Sequence, residues 1–205
     1  MLANLQEPKW WYMETPRTGS STLDRAMFKH LPGAVSLYQK HWPILPTPFL
    51  NPHAPDVLAI TSIRNPYSRA VSCWQFFTKP GSISFLDWTR ERLDTGFLNK
   101  QIEARPQSFW FTLHTWDVVI RQESLEDDFW ALVHRLYPAM PRQEIARFND
   151  INGPWPNRTG FKASRPDPWP TYYCSQSEQN VRVLYASDFE CLASWYSSKF
   201  SEATL

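Results

Sequence analysis

Two stretches of this chain hold residues whose types and spacing could grip phosphate. The first is Thr15-Pro16-Arg17-Thr18-Gly19-Ser20-Ser21-Thr22, with Glu14 ahead of it. Its glycine allows a tight turn, Arg17 supplies charge, and Ser20, Ser21 and Thr22 supply hydroxyl donors. Backbone N–H groups from Thr18 to Thr22, at the positive end of a following helix, would suit a dianion. The triphosphate pattern G-x-x-x-x-G-K-[ST] is not what stands here, because no Gly-Lys follows Gly19. Taken alone, the same composition also describes an ordinary capped helix start.

The second stretch is Arg64-Asn65-Pro66-Tyr67-Ser68-Arg69-Ala70-Val71-Ser72. Arg64 falls at the carboxyl end of a strand, where open α/β sheets bind ligands. If a helix begins near Pro66, Arg69 and Ser72 sit on nearby turns, and Arg64 and Ser72 could hold one phosphate, the guanidinium by its fork. A lone strand-end arginine would more often make a surface ion pair.

The elements that must position these stretches are readable from pattern. Residues 9–14, Lys-Trp-Trp-Tyr-Met-Glu, are rich in β-formers and stopped by Pro16, which predicts a buried strand. Ser20 or Ser21 is the expected cap of a helix carrying Leu23, Met27 and Leu31, ended by Pro32-Gly33. Residues 34–38 predict a short strand. Five prolines between residues 42 and 56 predict a loop. Val57 to Ile63 is continuous and β-branched, as a central parallel strand should be. Asn65-Pro66 breaks it and opens a helix.

Helices are expected at 84–95 and 105–114, a strand at 116–120, and a helix from Ser124 to about Leu136 with Leu125, Phe129, Leu132 and Leu136 on one face. Residues 141–148 predict a short helix, and 152–171 a loop. Ser175-Gln-Ser-Glu178 predicts a capping box opening a helix to about Tyr185, and a last helix covers about 188–200. Strands alternate with helices and no composition break appears, so residues 1–205 predict a single α/β domain with a parallel sheet flanked by helices.

The bulk numbers narrow the function classes. Hydrophobic residues make up 42% and charged residues 20%, a globular composition. A formal net charge of +1 gives no reason to expect nucleic acid or an anionic membrane as partner, so any anion site must be a local cluster. Three cysteines, Cys73, Cys174 and Cys191, fit neither a disulfide framework nor a zinc spacing. Most of the eleven tryptophans are expected in the core, with a cleft for a flat acceptor as the sharper alternative. No signal peptide or membrane anchor is read in the sequence, which predicts a cytoplasmic protein of bacterial or viral origin.

Taken together, the two loops resemble the sulfotransferases that use 3′-phosphoadenosine-5′-phosphosulfate (PAPS). In that family the first loop follows strand one and binds the 5′-phosphosulfate, and Pro16-Arg17-Thr18-Gly19-Ser20-Ser21-Thr22-Leu23 is similar to it. Most branches carry lysine where Arg17 stands; arginine is typical of the tyrosylprotein branch. The family's second element is Arg-[Asn/Asp]-Pro-x-x-Arg-x-x-Ser, whose first arginine and serine bind the 3′-phosphate. Residues 64–72 match it position for position and look most like the carbohydrate (Golgi-type) branch. Asp117 to Phe129 and Val183-Leu184-Tyr185-Ala186-Ser187-Asp188-Phe189 resemble that branch's later segments, so the likeness touches four places along nearly the whole chain.

The resemblance implies a P-loop-like three-layer α/β fold with a central parallel sheet. It implies PAPS as cofactor, 3′,5′-adenosine bisphosphate as product, no metal, and a hydroxyl-bearing acceptor, with a sugar ahead of a tyrosine. Arg17 would stabilise the leaving phosphate, Thr18, Gly19, Ser20, Ser21 and Thr22 would hold the 5′ end, and Arg64 and Ser72 would hold the 3′-phosphate. Lys162 and Arg165, in the basic stretch 157–165, would close over the nucleotide. A hydroxyl acceptor needs a general base. His41, after the second strand, is the first choice, with His53, His30 and Glu14 as alternatives. Glu123 and Asp127 are expected to cap a helix. The rivals are a P-loop kinase, which should have the Walker lysine, and a non-catalytic nucleotide- or glycan-binding protein, which would keep Arg64 and Ser72 without a base.

Overall fold

The computed structural model describes residues 2–36, 54–79, 81–94, 96–145 and 168–200. The chain divides into two compact units, Met1–Arg64 with Leu113–Gly153, and Asn65–Thr112 with Pro154–Leu205.

The first unit carries a five-stranded mixed sheet. Its strands are β1 (Leu2–Asn4), β2 (Trp10–Met13), β3 (Val35–Ser36), β4 (Leu58–Ile63) and β5 (Val118–Arg121), in the spatial order β3-β1-β2-β4-β5. The parallel core is β2-β4-β5, with Met13 beside Thr61 and Ile63 beside Arg121. The wholly parallel sheet expected from the sequence is corrected here, because β1 runs antiparallel to both β2 and β3. The missed strand is only three residues long, too short to show a period.

Two helices of this unit pack on the sheet, α1 (Ser20–His30) and α6 (Leu125–Leu136). Leu23, Ala26 and Met27 from α1 and Phe129, Trp130, Leu132 and Val133 from α6 close over Leu2, Trp10, Tyr12, Ile60 and Ile120. Trp11, on the alternate strand face, is buried with the rings of His114 and Trp116 about it, at centroid distances of 5.0 and 5.2 Å. Acidic Glu126, Asp127 and Asp128 open α6 and His134 and Arg135 close it, as the helix dipole favours.

The second unit holds α2 (Pro66–Phe77), α3 (Phe85–Asp94), α4 (Phe97–Lys100), α5 (Ser108–Phe111), α7 (Ser175–Leu184), α8 (Ala186–Cys191) and α9 (Ala193–Phe200). Pro66 takes the first helical position of α2, and the Asn65 carboxamide accepts from the N–H of Tyr67 at 2.9 Å. Tyr67, Ala70, Val71, Phe85, Trp88, Val181 and Tyr185 form its core. Three expectations shift. The cap of α7 is Cys174, one residue early, with its N–H donating to Ser177 Oγ at 2.9 Å. The last helix is broken at Leu192 into α8 and α9. Residues 141–145 are irregular rather than helical, and 146–148 lie outside the described residues. Trp10, Trp11, Trp88, Trp110 and Trp130 are buried, as a core role requires.

Arg69, inside the 64–72 motif, is wholly buried. Its Nη2 donates to the carbonyls of Glu103 at 3.2 Å and Arg105 at 2.6 Å, and its Nη1 lies 3.9 Å from the buried Asp188 carboxylate. Asp188 in turn accepts from the Ser108 N–H at 2.8 Å. Burial pushes the Asp188 carboxyl up, and Arg69 opposes it. This arginine ties three segments of the second unit together and is not placed to meet a ligand. Arg69→Met should cost about 3–5 kcal/mol of stability at neutral pH, because it strands a buried carboxylate. In that variant Asp188 has a folded pKa above its unfolded one, so the folded form holds the proton more tightly. The deficit should therefore be smallest below about pH 4 and grow as pH rises through the unfolded pKa. Urea midpoints measured across that range check both the size and the sign.

Candidate functional site

β2 and β4 are parallel neighbours, so their carboxyl ends leave the sheet at the same edge. From β2 the chain runs through Glu14 to Gly19 and into α1; from β4 it reaches Arg64. The Arg64 guanidinium donates from Nη1 to the Arg17 carbonyl at 3.3 Å, so Arg64 and the first loop meet within one unit. Arg64 is 8% exposed, while Arg17 is half-buried.

The loop has an unusual backbone. Arg17 has φ 65°, the one non-glycine residue with positive φ among those described, and Gly19 has φ 85°. A left-handed conformation at a residue with a Cβ costs about 1–2 kcal/mol, and such strain gathers where surrounding contacts over-determine the chain. Gly19, not Ser20 or Ser21, is the cap of α1, which corrects the expected cap. A serine at position 19 would meet both the positive φ and a collision, since a Cβ there would lie 2.9 Å from Leu125 Cδ1 and 3.0 Å from Gln122 Cγ. No side chain caps α1 and no acidic residue stands in its first turn. Its first backbone bonds run from the N–H of Thr22 and Leu23 to the Gly19 carbonyl at 2.9 and 3.1 Å. The amides of Gly19, Ser20 and Ser21 come before those bonds, at the positive end of the dipole. The Thr22 amide, expected among the anion donors, is committed to the helix instead.

The hydroxyls divide by direction. Thr18 is fully buried and turned under the loop, bonded to the Thr15 carbonyl at 2.7 Å and to Ser62 Oγ at 2.6 Å. Ser62 also meets the Tyr12 hydroxyl at 2.8 Å. Beside this run, Thr61 donates to the Met13 carbonyl at 3.3 Å and faces Thr15 Oγ1 at 3.3 Å. Sequence reasoning gave Tyr12, Thr61 and Ser62 no role at the site. A polar Thr-Ser pair inside an otherwise apolar strand is the signal that could have found them. Ser20 is buried at the helix start, and Ser21 and Thr22 are half-buried beside it.

Charge near the loop is mixed. Glu14 and Asp24 are buried at 4% and 8% exposure. Burial first, then Asp24 and Glu14, push the Tyr12 phenol well above its ordinary pKa. On the side toward β5, a hollow is lined by Thr22, Gln122, Glu123, Ser124, Glu126 and Asp127. Its acidic lining does not suit an anion. Arg121 and Asp128 lock the far wall through a two-pronged ion pair, at 2.9 Å for both the Nε and Nη2 donors. Asp128 thus holds the start of α6, the role expected of Glu123 and Asp127. Asp127 instead accepts from Arg142 Nη2 at 2.7 Å.

The remaining expected site residues are placed as follows. Ser72 is on α2 of the second unit and 5% exposed. His30 stands away from this edge. It ends α1, about 15 Å from the helix start, is buried at 6% exposure, and packs against Phe129 and Trp130. Burial, helped by Lys29, pulls its imidazole pKa down. His41, His53, Lys162 and Arg165 lie outside the described residues. Glu14 is the described carboxylate that remains at the loop.

Compared with family models, curated proteins and solved structures, the chain matches none. Among the described residues no helix is long and apolar enough to cross a membrane.

Gly19→Ala tests the geometry directly. It should destabilise the chain by at least about 1–2 kcal/mol from φ alone, with the contacts to Leu125 and Gln122 adding to that. Gly81→Ala, also at positive φ but with open space around its Cβ, should lose only the φ share. Paired urea titrations measure the difference.

Proposed function

We propose that this chain is a sulfotransferase that moves the sulfuryl group of PAPS to a hydroxyl of an acceptor, a carbohydrate ahead of a tyrosine. The observation that carries the reading is the convergence of an uncapped helix start, a strained arginine loop and the Arg64 guanidinium at one carboxyl edge of a parallel strand pair. That edge is where an α/β sheet receives an anionic ligand. The spacing from Arg64 to Ser72 adds a second phosphate to the reading, which an ATP-binding loop would not need.

In this proposal the amides of Thr18, Gly19, Ser20 and Ser21 hold the 5′-phosphate, and Arg17 neutralises charge on the bridging oxygen as the S–O bond breaks. Arg64 and Ser72 hold the 3′-phosphate, and Lys162 and Arg165 add contacts to it. The acceptor oxygen attacks sulfur in line, opposite the leaving phosphate. Catalysis then rests on positioning and electrostatic stabilisation, as in phosphoryl transfer. His41 takes the acceptor's proton. The absence of a lysine after Gly19 separates this loop from a kinase loop. The expected setting is the cytoplasm of a bacterium or a virus-infected cell.

Calorimetric titration with 3′,5′-adenosine bisphosphate, with ATP as control, tests the reading. The bisphosphate should bind more tightly than ATP, and Arg64→Ala should weaken it about 10–100-fold, as expected for lost charge-assisted hydrogen bonds. Preference for ATP would overturn the proposal. His41→Ala should leave bisphosphate affinity intact and lower turnover about 10²–10⁴-fold. Undiminished turnover would move the base elsewhere, to Glu14 first.

A further inference from the structure

Beneath the loop, four buried oxygens form a chain whose direction can be deduced. Each hydroxyl has one proton to give. Thr18 gives its proton to the Thr15 carbonyl at 2.7 Å. Its oxygen must therefore accept from Ser62, which lies 2.6 Å away. Ser62, having donated to Thr18, must accept from the Tyr12 hydroxyl at 2.8 Å. The raised pKa of Tyr12 keeps its phenol protonated and able to start the chain. The order is Tyr12 to Ser62 to Thr18 to the Thr15 carbonyl, running from β2 across to β4 and up into the loop. Tyr12, Thr15, Thr18 and Ser62 are all at most 2% exposed. Water does not compete for these bonds, and every donor in the chain has one acceptor.

The last bond of the chain, from Thr18 to the Thr15 carbonyl, spans Arg17, whose φ of 65° needs an external hold. Thr18 fixes the backbone after Arg17 to β4, and the Arg64 guanidinium fixes the Arg17 carbonyl itself. The two anchors leave the Arg17 backbone one conformation.

We propose, resting on the sulfotransferase reading, that Tyr12, Ser62 and Thr18 are positioning residues that hold the loop backbone so that Arg17 meets the bridging oxygen of the leaving phosphate. None of the three side chains touches substrate; in the proposed complex Thr18 meets the 5′-phosphate through its backbone amide alone, which Thr18→Val and Thr18→Ser both keep. Thr18 acts through its hydroxyl and not through the side-chain volume, so a serine serves in its place and a valine does not.

The test compares Thr18→Val with Thr18→Ser in the full chain, at a temperature where circular dichroism shows both folded. Thr18→Val should lower kcat about 10²-fold, the scale of a misplaced catalytic group, with the acceptor KM unchanged. It should also weaken 3′,5′-adenosine bisphosphate roughly tenfold, whereas Thr18→Ser should stay within roughly threefold of wild type in both. If Thr18→Val does not fold, Ser62→Ala, which cuts the same chain one link earlier, should show the same loss of kcat at unchanged KM. A folded Thr18→Val with wild-type kcat and affinity overturns the proposal. So does a Thr18→Ser as impaired as Thr18→Val, because volume would then be the cause. Wild-type protein that fails to bind the bisphosphate overturns the sulfotransferase reading and this inference with it, and is told apart from the other two by the wild-type titration alone.

Discussion

The pairing of β2 with β4 is the constraint from which the site follows. Trp10 stands beside Leu58 and Met13 beside Thr61, so the two strands start level and β4 runs two residues further, to Ile63. A one-residue slip would turn every side chain of a strand to its other face. It would take Ser62 away from Tyr12 and Thr18 and cost the Tyr12 and Ser62 hydroxyls the acceptors they have here, at about 1–3 kcal/mol for each left buried and unpaired. The hydroxyl chain is thus a register lock as well as a brace for the loop. Apolar residues at these positions would bury as well and remove the penalty, but would not choose between registers. The polar end of an otherwise apolar strand is what specificity requires here.

The same pairing explains which parts of the fold were legible. Val57 to Ile63 is β-branched and continuous because both of its faces are covered, and that reads directly as a central strand. The helix after Asn65-Pro66 was legible because its cap and first-position proline act within three residues. β1 was not legible, because Leu2–Asn4 is buried by pairing with β2 on one side and β3 on the other. Nothing local marks three such residues. The shift of the α1 cap from serine to Gly19 has the same origin. Local propensity favours serine, but Leu125 and Gln122, a hundred residues away in sequence, leave no room for a Cβ.

At the candidate site, residue types were legible and directions were not. A loop with three hydroxyl residues after its glycine and two before reads as uniformly able to donate to an anion. The structure turns Thr18 inward, where its hydroxyl is spent on Thr15 and Ser62. The two arginines of the 64–72 motif divide in the same way. Spacing put Arg64 at the strand end and Arg69 on the helix that follows, and Arg69 is consumed by two carbonyls and Asp188, while Arg64 stands at the loop. A guanidinium has five donors and no acceptor, so what it serves depends on which carbonyls the rest of the chain brings to it.

Arg17 in place of a lysine has a physical rationale in this setting. The loop is half-buried, and the Arg64 guanidinium lies against its backbone. Desolvation and a neighbouring cation both drive a lysine's pKa down. Both effects act on the charge of an ammonium at position 17, which is more easily lost than that of a guanidinium. A guanidinium remains charged under those conditions. Glu14 and Asp24 are buried in the same stretch of chain, at 4% and 8% exposure. In the proposed complex, an incoming dianion would meet two guanidinium groups and two acidic residues at this edge. Net attraction depends on the arginines being nearer to the anion than the carboxylates are. It is the backbone, through the positive φ of Arg17 and the anchoring of Thr18, that decides that order of distances.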